Sequence, residues 1–167
     1  MMIVKDIAMS QPHFRIVLIE PEIPQNTGNI GRTCVGTQSE LHLVEPFGFE
    51  ISDKNLKRAG LDYWQYLKWY TYPDIEKWKC TVENWDRVFF FSTKATKSYF
   101  EIDYKPGDYL VFGRETKGLP QELHDKYPEN FVQIPQYGPV RSLNVATAAA
   151  IALYEGLRQI KSINKSN

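Results

Sequence analysis

Tyr109-Leu110-Val111-Phe112-Gly113-Arg114-Glu115-Thr116-Lys117-Gly118-Leu119-Pro120 decides how this chain is read: an apolar strand breaks, without a spacer, into a charged loop bounded by glycines. A second apolar run, Phe131-Val132-Gln133-Ile134, breaks the same way into Pro135-Gln136-Tyr137-Gly138-Pro139. Val140-Arg141-Ser142-Leu143-Asn144 then opens an alanine-rich stretch that predicts a helix over about 145–158. Two strands ending in two polar loops is where ligands bind in an open α/β sheet. A turn needs only glycine and proline, and Ser142 alone could be a helix N-cap. Arg114, Glu115 and Lys117 in one loop, with Arg141, Ser142 and Asn144 in the other, exceed what turning the chain requires.

Outward from that run the pattern repeats. Phe14-Arg15-Ile16-Val17-Leu18-Ile19 reads as a buried strand, and Glu20 to Gln25, with two prolines, as irregular. Asn26 or Thr27 is then expected to cap a helix through Gly36, although its glycines weaken it by roughly 1 kcal/mol each. Something other than helix propensity placed them there. Leu41-His42-Leu43-Val44 is a further strand, and a short helix capped by Ser52 or Asp53 is expected to put Lys54, Lys57 and Arg58 on one face. The aromatic run from Tyr63 to Tyr72 is expected to be core. A short helix around Asp74–Lys79 precedes Val88-Phe89-Phe90-Phe91, a strand running into Ser92-Thr93-Lys94. With about six strands alternating with helices, the chain is expected to be a single α/β domain with a mainly parallel sheet, over 14–160. Residues 1–13 read as an N-terminal extension and 161–167 as a solvated tail.

The 167 residues, 43% apolar, suit one ordinary core. Lys+Arg and Asp+Glu both total 20, so no global field draws the protein to nucleic acid and any RNA contact uses local patches. Cys34 and Cys80 are far apart and belong to no metal-binding spacing, which argues against zinc and against a disulfide framework and for a reducing cytoplasm. Met1 to Ala8 is too short and too charged for a signal segment, and no apolar run approaches the roughly 20 residues of a membrane span.

No G-x-x-x-x-G-K-[ST] loop, G-x-G-x-x-G turn or G-x-S-x-G elbow occurs. His13, His42 and His124 fall on a tail, a strand and a helix, which disfavours histidine-assisted nucleophilic catalysis. Asn26, Arg32, Glu115, Arg141, Ser142 and Asn144 instead form a set of amides, guanidinium groups, a hydroxyl and a carboxylate. Such a set grips and orients a polyanion or sugar better than it attacks a carbonyl.

Pro24-Gln25-Asn26-Thr27-Gly28-Asn29-Ile30-Gly31-Arg32, Phe112-Gly113-Arg114-Glu115-Thr116-Lys117-Gly118-Leu119-Pro120 and Arg141-Ser142-Leu143-Asn144 resemble the three ordered motifs of the SPOUT (trefoil-knot) RNA 2′-O-methyltransferases. Within them, the short chain, Arg58 to Tyr63, and Tyr154-Glu155 resemble the single-domain tRNA (cytidine/uridine) wobble 2′-O-methyltransferases of the YibK/TrmL type. The resemblance runs from about Phe14 to Gln159.

The resemblance implies a C-terminal trefoil knot, a homodimer and S-adenosyl-L-methionine as cofactor, with no metal and no membrane. It implies methylation of the ribose 2′-hydroxyl at the wobble nucleotide, in the anticodon stem-loop of tRNA. By position, it places Phe91, Gly113, Gly118, Ile134, Ser142 and Leu143 around the cofactor, and Asn26, Arg32, Glu115, Ser142 and Asn144 in the catalytic region. A guanidinium is a poor literal base, so the role expected for Arg32 is to stabilise a developing alkoxide or fix the adjacent phosphate. Lys54, Lys57, Arg58, Arg114, Arg141 and Arg158 are the candidate RNA-phosphate contacts. An rRNA ribose methyltransferase of the same fold, or a non-catalytic RNA-binding or assembly factor, are the alternatives. The loop Pro135 to Val140 departs from the family pattern.

Overall fold

The computed structural model of the protein describes residues 11–52 and 62–164. β1 (Phe14–Ile19), β2 (Glu40–Val44), β3 (Trp69–Tyr72), β4 (Val88–Phe91), β5 (Asp108–Phe112) and β6 (Phe131–Val132) form one sheet in the order β3-β2-β1-β5-β4-β6. All five pairings are parallel. The chain lays β2 and β3 to one side of β1, then crosses to build β4, β5 and β6 on the other. The order therefore reverses between β1 and β5, and crevices open at the carboxyl ends of strands at such a reversal.

Alternation along the strands divides the apolar side chains between two faces. Phe14, Ile16 and Leu18 of β1 join Leu110 and Phe112 of β5 under α1 (Pro24–Gly36) and α4 (Val145–Asn164). Val17, Ile19, Val111 and Phe90 face the other way, toward Trp78 on α2 (Ile75–Lys79) and Leu123 on α3 (Gln121–Lys126). With both faces covered, the strands are near-continuous apolar runs.

Five local expectations are revised. The irregular stretch ends earlier than Gln25, because Pro24 is the first residue of α1, where a missing N–H costs nothing. Neither Asn26 nor Thr27 caps that helix: the N-cap position is Ile23, and both polar residues are buried inside it. The aromatic run is not uniformly core. It divides into a 3-10 turn at Asp62–Tyr66 and β3, with Trp64 buried while Tyr66 and Tyr70 are exposed. The second apolar run is paired as a strand only over Phe131–Val132, and α4 continues past 158 and past 160 to Asn164. The helix expected after Ser52, with Lys54, Lys57 and Arg58, lies outside the described residues.

One glycine of α1, Gly31, has a packing reason. A Cβ at Gly31 would meet Cζ3 of Trp64 at 2.9 Å, so a side chain there would push the ring off the helix. At the other end of the sheet, the buried carboxylate of Asp108 is gripped by Arg87, at 2.7 Å from Nε and 2.5 Å from Nη2. Burial raises the Asp108 carboxyl even so, since the guanidinium opposes but does not cancel the loss of water. Among the described residues, no helix is long and apolar enough to cross a membrane.

Candidate active site

The carboxyl ends of β4, β5 and β6 open into a cleft of about 570 Å³. Its apolar walls are Phe91, Phe112, Ile134 and Leu143. The loop after β5 forms one rim, closed on itself by two backbone bonds, Arg114 N–H to the Gly118 carbonyl (3.2 Å) and Gly118 N–H to the Arg114 carbonyl (2.9 Å). Two glycines make that turn possible. Gly118 has φ +67°, and a Cβ on Gly113 would lie 2.2 Å from the Gly118 carbonyl carbon.

Glu115 organises the polar side. Its carboxylate accepts from the backbone N–H groups of Glu22 (2.9 Å) and Ile23 (3.1 Å) and from Nδ2 of Asn26 (3.3 Å). The first two of those donors lead into the start of α1, where N–H groups lack helical partners. Asn26 Oδ1 in turn accepts from Nδ2 of Asn144 (2.9 Å), whose own Oδ1 accepts from the N–H groups of Ala146 (2.9 Å) and Thr147 (3.2 Å). Asn144 is therefore the side-chain cap of α4, the role that sequence alone offered to Ser142. Thr116 completes the stitching by donating its hydroxyl to Glu22 (2.8 Å). A chain of hydrogen bonds thus joins residues near 22, 115 and 144, far apart in sequence, into one wall.

Of the residues singled out from the sequence, Asn26, Phe91, Gly113, Arg114, Glu115, Gly118, Ile134, Arg141, Ser142, Leu143 and Asn144 all line this cleft. Arg32 does not. It is exposed, with its guanidinium 4.9 Å from the centre of the Tyr63 ring, and that ring's hydroxyl donates to the Gly28 carbonyl. No ion pair to Glu115 holds it. Two candidate phosphate contacts are already engaged: Arg114 pairs with Glu20, and Arg158 with Glu155 at 2.9 Å.

The cleft also contains residues outside the candidate site read from the sequence. Lys94 and Lys117, each noted there as a polar group beyond a strand end, are exposed at its edge. His124 lines it too, stacked on Phe131 with ring centres 3.9 Å apart. Burial, reinforced by Lys94, holds its imidazole below the usual histidine value, which favours the neutral form. Nothing in the sequence of α3 marked it. Among the described residues, no group of three or more His, Cys, Asp or Glu is placed to hold a metal ion.

The model of the SpoU rRNA Methylase family matches residues 13–154. The chain belongs to the SpoU methylase family. A tRNA (cytidine(34)-2′-O)-methyltransferase of Methylovorus glucosotrophus (strain SIP3-4) is 46% identical to this SpoU chain over 149 residues, 87% of this chain and 95% of that protein. A solved structure described as giving structural insights into the 2-OH methylation of C/U34 on tRNA superimposes with a TM-score of 0.84. It is 41% identical, covering 90% of this chain and 98% of that one. An AdoMet-bound rRNA methyltransferase from Sinorhizobium meliloti shares the fold with a TM-score of 0.70 at 25% identity, and the SpoU chain covers 57% of its length.

The cleft fits S-adenosylmethionine on its own chemistry. Its volume lies in the range of small-molecule sites, apolar side chains form the walls, and backbone amides and carbonyls at three strand ends can read an adenine edge. Gln136, in the same wall, has a buried side-chain oxygen with no hydrogen-bond partner among the described residues.

Proposed function

We infer that this SpoU protein is an S-adenosylmethionine-dependent tRNA 2′-O-methyltransferase acting on the wobble nucleotide, cytidine or uridine 34. The observation that carries this reading is the convergence of Asn26, Gly113–Gly118 and Ser142–Asn144 on one cleft, in a chain 46% identical to a protein of that activity. The rRNA reading has less behind it, since its example is 25% identical and much longer than this chain.

Phe91, Gly113, Gly118, Ile134, Ser142 and Leu143 would hold the cofactor, which supplies an electrophilic methyl group on a sulfonium. The protein's part is placement. A ribose 2′-hydroxyl is a very weak acid, so transfer requires the sugar oxygen in line with the methyl group and help as its proton leaves. Glu115, fixed by three donors, sets Asn26, and Asn26 sets Asn144, so two amides are held in fixed orientation at the polar wall. The Ser142 hydroxyl is exposed beside them for a hydrogen bond to the sugar. Arg32, outside the cleft lining, suits the phosphate next to the target nucleotide. Removing it should abolish methyl transfer to tRNA while cofactor binding and melting temperature stay unchanged; full activity in Arg32→Ala would refute the assignment.

The active form is a homodimer, which supplies the RNA surface that one small domain lacks; exposed Ile23 and Tyr154 are apolar groups available to such an interface. The C-terminal segment is threaded as a trefoil knot, and the enzyme works in the cytoplasm on the anticodon stem-loop. The total-tRNA assay is direct: incubation with labelled cofactor should place the label at nucleotide 34, and label confined to rRNA would overturn the choice of substrate.

A further inference from the structure

We propose that Tyr137 is a stacking platform for an unpaired base of the RNA substrate, set at the mouth of the cleft. The proposal rests on the RNA methyl-transfer reading above and adds a specificity residue to it. Tyr137 is 96% exposed, the most exposed large apolar side chain among the described residues, and it makes no hydrogen bond or ring contact among them. Other exposed aromatics differ in placement. Tyr66 and Tyr70 lie in and before β3 at the far edge of the sheet, and Phe100 packs on Tyr99 with ring centres 4.5 Å apart.

The neighbours of Tyr137 point to what would cover it. Gln136 before it and Arg141 after it line the cleft, so the ring sits on a loop that forms the cleft's own wall. Pro135 and Pro139 flank it and limit the loop's freedom, which presents the ring at low conformational cost. Lys94, Lys117 and Arg141 are exposed around the same opening, and none has an ion-pair partner among the described residues. A bare ring on the loop of a cleft whose lining carries unpaired cations is complementary to a polyanion with splayed bases, which single-stranded RNA is and a protein surface is not. A nucleotide in an anticodon loop has unpaired neighbours on both sides. Tyr137 itself does not line the cleft, so its ring is free for RNA and unnecessary for the cofactor.

The test uses Tyr137→Ala and Tyr137→Phe in the full chain, with an anticodon stem-loop carrying 2-aminopurine beside the target nucleotide. The wild type and Tyr137→Phe should quench the probe on binding; Tyr137→Ala should not. In Tyr137→Ala the KM for tRNA should rise roughly 5- to 150-fold, the span of one lost base stack, with kcat little changed. Calorimetric binding of S-adenosylhomocysteine should be the same in all three proteins. An unchanged KM and quench in Tyr137→Ala would overturn the proposal. So would a loss of activity accompanied by a change of oligomeric state in light scattering, which would make the ring a contact between copies. If the wild type transfers no methyl group to any tRNA, the function itself falls and the platform with it.

Discussion

Replacing Asn144 separates two jobs that this side chain does at once. Its Oδ1 caps α4 through the N–H groups of Ala146 and Thr147, while its Nδ2 donates to Asn26 across the cleft wall. Loss of an N-cap costs about 1 kcal/mol. An amide bridge from exposed Asn144 to buried Asn26 contributes about 1 kcal/mol more. Asn144→Ala should therefore destabilise the protein by about 2 kcal/mol, lowering the melting temperature by about 4–8 °C for a domain of this size. Serine is nearly as good a cap as asparagine but cannot reach Asn26, so Asn144→Ser should lose only the second half, about 2–4 °C. Both variants should lose methyl transfer to tRNA, because both remove the Asn144 amide from the polar wall and leave the Asn26 oxygen without its donor, although Glu115 still accepts from the Asn26 nitrogen. Thermal melts followed by circular dichroism, paired with labelled-cofactor assays, read the two effects apart. Full activity in Asn144→Ser would refute the idea that the bridge orients the site. Equal melting of the two variants would refute the division between cap and bridge.

Glu115→Gln replaces one acceptor oxygen with an NH₂ group facing a backbone N–H, and urea denaturation should report a loss of about 2 kcal/mol; stability equal to wild type would mean those N–H groups find water instead. Cys34 is fully buried and burial pushes its thiol far up, whereas Cys80 is exposed, so Ellman's reagent should titrate one thiol per native chain and two in denaturant. Rapid modification of both in the native protein would contradict the packing of α1. The His42 hydrogen bond, helped by Arg15, holds the Glu40 carboxyl below the usual glutamate value, against partial burial. The stability this supplies is present above the unfolded-state value and disappears as pH falls through the lower folded-state value. Acid melts below about pH 4.5 should thus separate wild type from Glu40→Gln, the variant losing less stability on acidification. Parallel curves would exclude Glu40 as a contributor.

What was legible in the sequence followed from local physics. Unbroken apolar runs mark the strands, and strands ending in polar loops mark a cleft, which is why Glu115, Ser142 and Asn144 stand out in the sequence and do line it. Less legible were features decided by contacts across the chain. Asn26 looks like a cap because asparagine usually is one, but Glu115, 89 residues away, claims it. β3 was hidden because an aromatic run at a sheet edge has no apolar alternation to announce it, with Tyr70 and Thr71 both exposed. His124 stayed invisible because only the position of α3 beside Phe131 brings it to the cleft. Arg32 shows the converse: a motif position can be legible while its distance from the cleft wall is not.

The hydrogen-bonded wall joining residues near 22, 115 and 144 also constrains when the protein becomes competent. As the chain emerges during synthesis, β1 can pair with β2 early, but it must wait for residues 108–112 to gain its other neighbour. The wall itself stays open until the start of α4 arrives. A truncated or half-folded species therefore lacks the complete cleft wall, and on the function proposed above donor binding becomes a gauge of finished folding. Refolding monitored by ligand uptake should lag behind recovery of the helical signal, because the pocket depends on contacts between residues far apart in sequence, which form late.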